Sequence, residues 1–357
     1  MNNSGAAVFD GVANRLELRR FETPKPRSGD AIVRVLGCTL CGSDLHTVEG
    51  RRTVATPTVL GHEIVGEVVA CGANFTGIDG VPLAIGERVT WAIVASCGTC
   101  FLCRRGLPQK CLHGVKYGHE ALRPGRELLG GLAEYCLLVP GTAVVRVPAD
   151  LDLGVACPAS CATATIAAAL DAAGEVRDRS VLVLGAGMLG LTACAMASAA
   201  GASEIICVDR VADRSQRDRL FGATNSLSPN ELHDVVRESS AGHGVDVVLE
   251  LTGSNAALET AWPCARLGAT IVLVGAVFPG APLSLTMEQI VCRNVTLRGV
   301  HNYAPRHLAS AIAFLQAHHR RFPFADLVTQ WHPLSAIEAA FALARDPIHL
   351  RIGVRPN

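Results

Sequence analysis

The chain has 357 residues, 49% of them hydrophobic, with 32 basic and 32 acidic side chains and no formal net charge. That length suits two domains of roughly 100–200 residues each, and no basic stripe suggests a nucleic-acid partner. Met1–Asp10 lacks a basic stretch leading into an apolar one, and the longest apolar runs, Ala186–Ala200 and Cys161–Ala173, fall short of the roughly 20 residues of a membrane span. The expectation is a cytoplasmic protein with no membrane contact, whose 14 cysteines serve metal or stay reduced.

The first 150 or so residues read as β-rich. Ala31–Leu36, Ile64–Ala70, Glu87–Val94 and Leu132–Val139 are short apolar runs with β-branched residues, punctuated by Gly and Pro. Within this part, Cys97, Cys100, Cys103 and Cys111 form a C-x2-C-x2-C-x7-C cadence. Four soft thiolates so close together can close a tetrahedral zinc site completely, which describes a structural metal. The competing reading, loose thiols on a loop, is weak because a lobe with Gly98, Gly106 and Pro108 has little core of its own. A second set, Cys41, His62 and Cys161, is spread along the chain and has three members. Three protein ligands and one open position describe a catalytic zinc. Cys38 and Cys41 are themselves a C-x2-C, but no second C-x2-C pairs with them at finger spacing except the lobe already assigned, so Cys41 reads as the ligand and Cys38 as a buried thiol. Asp44 is a candidate carboxylate to orient His62.

The middle of the chain changes character. Ser180–Leu184, Glu204–Val208, Val245–Leu249 and Ala269–Val274 are buried-type strands separated by helical stretches, the mark of a parallel, doubly wound sheet. The first of them runs into Gly185-Ala-Gly187-Met188-Leu189-Gly190, a G-x-G-x-x-G turn opening a helix. Its glycines allow the tight turn, close approach to a pyrophosphate and close helix–strand packing, and the helix N-terminus favours the anion. Asp209 ends the next strand about 20 residues on, where an acid takes ribose hydroxyls and repels a 2′-phosphate, so NAD is expected over NADP. Arg210 beside it softens that preference. From about Asn302 the chain has one helical stretch, Pro305–His318, and then short mixed elements. The expected domains are a discontinuous one, 1–160 with 302–357, around a nucleotide-binding insert, 161–301.

In this order, Cys41-Gly-Ser43-Asp44-Leu-His46, Gly61-His62-Glu63, the four-cysteine lobe, Gly130-Gly131-Leu-Ala-Glu-Tyr135 and the glycine fingerprint resemble the zinc-dependent medium-chain alcohol dehydrogenase family. The resemblance runs from roughly residue 25 to the C-terminus. It implies an α/β protein, with a GroES-like β-rich catalytic domain and a Rossmann domain, using NAD and two zinc ions per subunit. Alcohol dehydrogenase is itself the standard example of a Cys2His catalytic zinc. Register with the family favours Cys161 as third ligand, with Cys157 one helical turn away as the alternative. Glu63 resembles the family's acid behind the metal, Ser43 its proton-relay hydroxyl and His46 its solvent-side base. The run Gly299-Val-His301-Asn-Tyr303 resembles a subgroup associated with phosphonate catabolism. That resemblance implies a small polar alcohol or aldehyde bearing a phosphonate, for which Arg51, Arg52, Lys116, His119 and His301 are candidate partners. Otherwise these are ordinary solvated charges. A polyol or threonine-type dehydrogenase is the alternative, with Cys161 in place of glutamate against it. A non-catalytic nucleotide-binding relative is the different-class alternative, although such proteins lose zinc ligands that this chain keeps. The resemblance also implies a homodimer or homotetramer, built on the open edge of a last strand at Val295–Arg298.

Overall fold

A computed structural model describes residues 3–13, 15–211, 217–277 and 279–356. In chain order the strands are β1 (Ser4–Phe9), β2 (Leu16–Phe21), β3 (Ala31–Thr39), β4 (Thr58–Val59), β5 (Glu63–Cys71), β6 (Arg88–Trp91), β7 (Val94–Ala95), β8 (Val115–Lys116), β9 (Tyr135–Leu138), β10 (Val144–Arg146), β11 (Ser180–Leu184), β12 (Glu204–Val208), β13 (Asn225–Leu227), β14 (Val245–Glu250), β15 (Ala265–Leu273), β16 (Thr296–Gly299), β17 (Val328–Pro333) and β18 (Arg351–Arg355). They belong to two compact units, one of Met1–Ala164, Ala304–Arg320 and Phe324–Asn357, the other of Thr165–Tyr303 and Arg321–Pro323.

The first unit is built on a sheet in the order β10-β6-β5-β3-β18-β17, with β9 also paired to β3. β3 and β5 form its antiparallel centre, with Thr39 opposite Glu63 and Cys38 opposite Ile64. Both are rich in Val and Ile, which suit a pleated surface packed on a core. That core includes Ile32, Val33, Val68, Val89, Trp91, Leu132 and Leu138. The run Glu87–Val94, expected as one strand, divides. Val89–Trp91 pair with Val144–Arg146, whereas Val94 and Ala95 pair with Lys116 and Val115. The partner changes because the four-cysteine lobe leaves and returns through β7 and β8, so one apolar run serves two sheets.

The second unit is a six-stranded parallel sheet in the order β13-β12-β11-β14-β15-β16. Its inner strands are apolar on successive residues, as strands with covered faces must be; Val181–Val183 and Val247–Leu249 are fully buried. The order reverses between β11 and β14, and at such a switch point the carboxyl ends of neighbouring strands splay into a crevice. β16 forms an exposed edge. No single helix among the described residues is long and apolar enough to cross a membrane.

Candidate active site

β3 ends at Thr39, and two residues later Cys41 caps the helix Gly42–Val48. The Cys41 backbone N–H donates to Asp44 Oδ2 at 2.9 Å, closing the first turn and fixing the direction of the cysteine side chain. The other oxygen of Asp44 accepts from Gly61 N at 3.3 Å and lies 3.4 Å from His62 Nδ1. That last approach has ion-pair distance but not the alignment of a hydrogen bond. One buried carboxylate thus ties the helix start to the residues leading into β5. Gly61 adopts φ +89°, and a Cβ there would fall 2.7 Å from Cys38 Sγ, so only glycine fits the turn that presents His62. The third segment is the 3-10 turn Cys157–Ser160. Ser160 Oγ donates to His62 O at 3.1 Å and accepts from Ile64 N at 3.4 Å, locking this turn onto β5. Cys161 follows directly.

The outcome is a cluster of Cys41, His62, Glu63 and Cys161 whose ligand atoms all lie within 4.8 Å of one another. Cys41 and Cys161 sulfurs are 3.9 Å apart. Cys157 is held away, its thiol donating to Gly37 O at 3.3 Å, and Cys38 is fully buried. Hydrogen bonding from Cys161 outweighs burial and, with Arg351, drives the Cys41 thiol well below its ordinary value, while Cys161 rises correspondingly. Burial works against a charged His62, but Asp44 and Cys41 overcome it and hold its pKa up at about 10. The buried Asp44 carboxylate and the Cys41 sulfur therefore draw positive charge into the space between the ligand atoms. Two soft sulfurs and an imidazole are a zinc donor set.

Glu63 is fully buried and engaged on both oxygens. It accepts from Thr39 Oγ1 at 2.6 Å and, in bidentate fashion, from Arg351 Nε at 2.8 Å and Nη2 at 2.9 Å. Burial raises its pKa and the guanidinium opposes that rise. Arg351 Nη2 also stands 3.7 Å from Cys41 Sγ. Burial opposes the Arg351 cation, yet Glu63 and Cys41 outweigh it and keep it charged. Sequence reasoning missed Arg351. It enters because β18 pairs with β3, putting Gly353 opposite Thr39, and no local spacing signals that contact.

Ser43 Oγ lies 3.4 Å from His62 Nε2. His46 is half-buried, and burial together with the Arg51 cation lowers its pKa. Of the candidate substrate partners, Arg51 is exposed and paired with Glu49. Arg52 and Lys116 are half-buried, and neither cation has an ion-pair partner among the described residues. Lys116 is lowered to about 8 by burial and by Arg52, against the pull of Cys161. The His119 ring is centred 5.3 Å from that of His62, and its Nδ1 donates to Tyr117 O at 2.8 Å. Burial and the His62, Lys116 and Arg52 charges push His119 well down. His301 is exposed in the second unit.

The lobe cysteines Cys97, Cys100, Cys103 and Cys111 form the other metal-competent cluster, again within 4.8 Å. Cys97 Sγ accepts from Cys100 N at 3.3 Å, and such backbone N–H groups bring its pKa to about 6. Burial and the neighbouring sulfurs push Cys103 up to about 12. Neither helical turn of the lobe contains a buried residue, so these turns have no core of their own.

In the second unit Gly185 adopts φ +101° at the end of β11 and the helix Met188–Ala199 begins after Gly187. A Cβ at Gly190 would fall 1.7 Å from Gly185 O, which is the close helix–strand contact expected of the third glycine. Asp209 accepts from Ala186 N at 2.7 Å and Val211 N at 2.8 Å, so it braces the glycine turn; a carboxylate has lone pairs beyond these two. Arg210 is exposed.

Comparison with known proteins matches residues 27–149 to the alcohol dehydrogenase GroES-like domain and residues 189–317 to the zinc-binding dehydrogenase domain. The chain is 31% identical to the L-threonine 3-dehydrogenase of Pyrococcus horikoshii, over 80% of this chain and 79% of that protein. The chain belongs to the zinc-dependent medium-chain alcohol dehydrogenase family. It is an oxidoreductase of that family, and its fold is the family's GroES-like and Rossmann pair. It is also 29% identical to 5-exo-hydroxycamphor dehydrogenase of Pseudomonas putida, over 93% of both chains. Among solved structures, an alcohol dehydrogenase from Thermotoga maritima covers the whole chain at 26% identity with a TM-score of 0.94.

Proposed function

We propose that the chain is an NAD-dependent zinc alcohol dehydrogenase acting on a small polar alcohol or the corresponding aldehyde. The observation that carries this reading is the convergence of Cys41, His62 and Cys161 from three segments far apart in sequence. These three would hold a catalytic zinc, and the four lobe cysteines a structural one. Zinc bound at the first site supplies Lewis acidity that lowers the pKa of a substrate hydroxyl. Asp44 orients the His62 ring, and Arg351 donates to the Cys41 sulfur and neutralises Glu63. Ser43, beside His62, receives the alcohol proton, and His46 passes it toward solvent. Glu63 stands behind the ligands as the buried acid. Gly185, Gly187, Met188, Leu189 and Gly190 present backbone to the pyrophosphate, and Asp209 selects NAD through the ribose hydroxyls. The exposed Arg210 leaves some tolerance for a 2′-phosphate.

The finer substrate reading is an alcohol bearing an anionic group, a phosphonate above all. Its support is that Arg52 and Lys116 are half-buried cations without a carboxylate partner among the described residues, coupled electrostatically to His119 and Cys161. A group that has given up water without gaining a partner favours an anionic ligand. The polyol or threonine-type reading draws on the similarity to L-threonine 3-dehydrogenases at 31–32% identity. NADH formation should be followed on alkanols, polyols, threonine and hydroxyalkyl phosphonates. Turnover confined to phosphonates, abolished in Cys161→Ala and weakened in Lys116→Met, is the expected result. Turnover of polyols or threonine without phosphonate activity would overturn the substrate reading and leave the general one. The exposed edge of β16 supports assembly into a homo-oligomer by strand pairing. None of the 14 cysteines is in a disulfide, which suits a reducing cytoplasm.

A further inference from the structure

At the switch point two segments leave the carboxyl ends of β11 and β14. The glycine turn after β11 is one. The other is the stretch after β14, and it is organised by Glu250, which is 3% exposed. A single carboxylate oxygen, Oε1, accepts from Thr252 N at 2.7 Å, from Thr252 Oγ1, and from Gly253 N at 2.9 Å. Three donors gathered on one acceptor bend the chain sharply back toward the strand it has just left. The bent segment is wedged between two glycines. Thr252 Cγ2 lies 2.9 Å from where a Cβ would stand on Gly185, and Gly253 N lies 2.2 Å from where one would stand on Gly275. Glu250 pairs in register with Leu184, the residue before the fingerprint. A shift of the segment would therefore bear directly on the turn that faces the phosphates.

We propose that Glu250 is a positioning residue for the dinucleotide, holding the Thr252–Gly253 segment as a wall of the crevice at the switch point. This rests on the reading of the glycine fingerprint as an NAD site. The function is hydrogen-bond acceptance, not negative charge, and it acts through the backbone it holds.

The test is direct NADH binding to the full-length chain by fluorescence titration, with thermal melting in parallel. Glu250→Ala is expected to bind NADH about tenfold more weakly, since a donor cluster left without its acceptor is costly. In turnover the loss should fall on KM for NAD and not on kcat. Glu250→Gln keeps an oxygen acceptor and is expected to retain wild-type affinity. Thr252→Val removes only the hydroxyl donor and is expected to lose about threefold, which carries the test should Glu250→Ala fail to fold. Wild-type affinity in folded Glu250→Ala or in Thr252→Val overturns the proposal, and so does a loss in Glu250→Gln equal to that of Glu250→Ala. A wild-type chain that binds neither NADH nor NADPH overturns the fingerprint reading and this inference together.

Discussion

Replacing Arg351 by Met would leave the Glu63 carboxyl buried without its bidentate donor and the Cys41 sulfur without a nearby cation. Breaking a buried pair from one side costs about 3–5 kcal/mol, and chemical denaturation should show a loss of that order. Combining it with Glu63→Gln should recover part of the loss, because residues in direct contact are not additive. Lys116 bears on pH. Its folded pKa of about 8 lies below the ordinary 10.5, so between those values the unfolded chain holds more of this proton. Stability is therefore expected to rise with pH across that window, and Lys116→Met should remove the rise in denaturation curves at stepped pH. With an anionic substrate, KM should climb above about pH 8 as the lysine discharges, a climb absent in the same variant. The clustering of Cys41 with His62 and of the lobe cysteines was legible at this scale because side chains able to ligate a metal belong to few residue types and sit at constrained spacings. Arg351 was not, since an arginine ordinarily reads as a solvated charge until its neighbours are known.

Short elements hold the site residues through devices that leave uneven traces in sequence. The turn at Gly185–Gly190 leaves a strong one, because Gly185 takes a positive φ and Gly190 must approach Gly185 O closely. Gly190→Ala would drive a methyl group into Gly185 O, and NADH titration should show binding lost while the first unit's metal content stays intact. Asp44 is weaker in sequence but central in structure. Its two oxygens serve Cys41 N, Gly61 N and the His62 ring, and Asp44→Asn should lower zinc affinity about 10–100-fold in a chelator competition. The division of Glu87–Val94 between two sheets left no trace. Apolar alternation reports that a residue is covered, not which strand covers it.

For the whole molecule, the lobe is a part whose helical turns hold no buried residue, and the proposed structural zinc would supply its order. A chelator strong enough to strip its zinc should open Gly98–Lys110 to limited proteolysis, while the β3–β5 core, buried in its own right, keeps its protection. The family, the two-part α/β architecture and the membership of both cysteine clusters were legible in the residues alone. Each of these is written in short, steep signals: a cadence of thiols, a glycine turn after an apolar strand, a His flanked by Gly and Glu. The clustering of Cys41, His62 and Cys161 ligand atoms within 4.8 Å of one another depends on tertiary packing. That packing also decided that Glu63 is buried against a strand more than 280 residues further on, and that Glu250 faces its own loop. The physical reason is the pairing of distant strands. β18 must find β3, and the turn before Cys161 must find β5, through contacts whose energy is realised only when the sheet has closed.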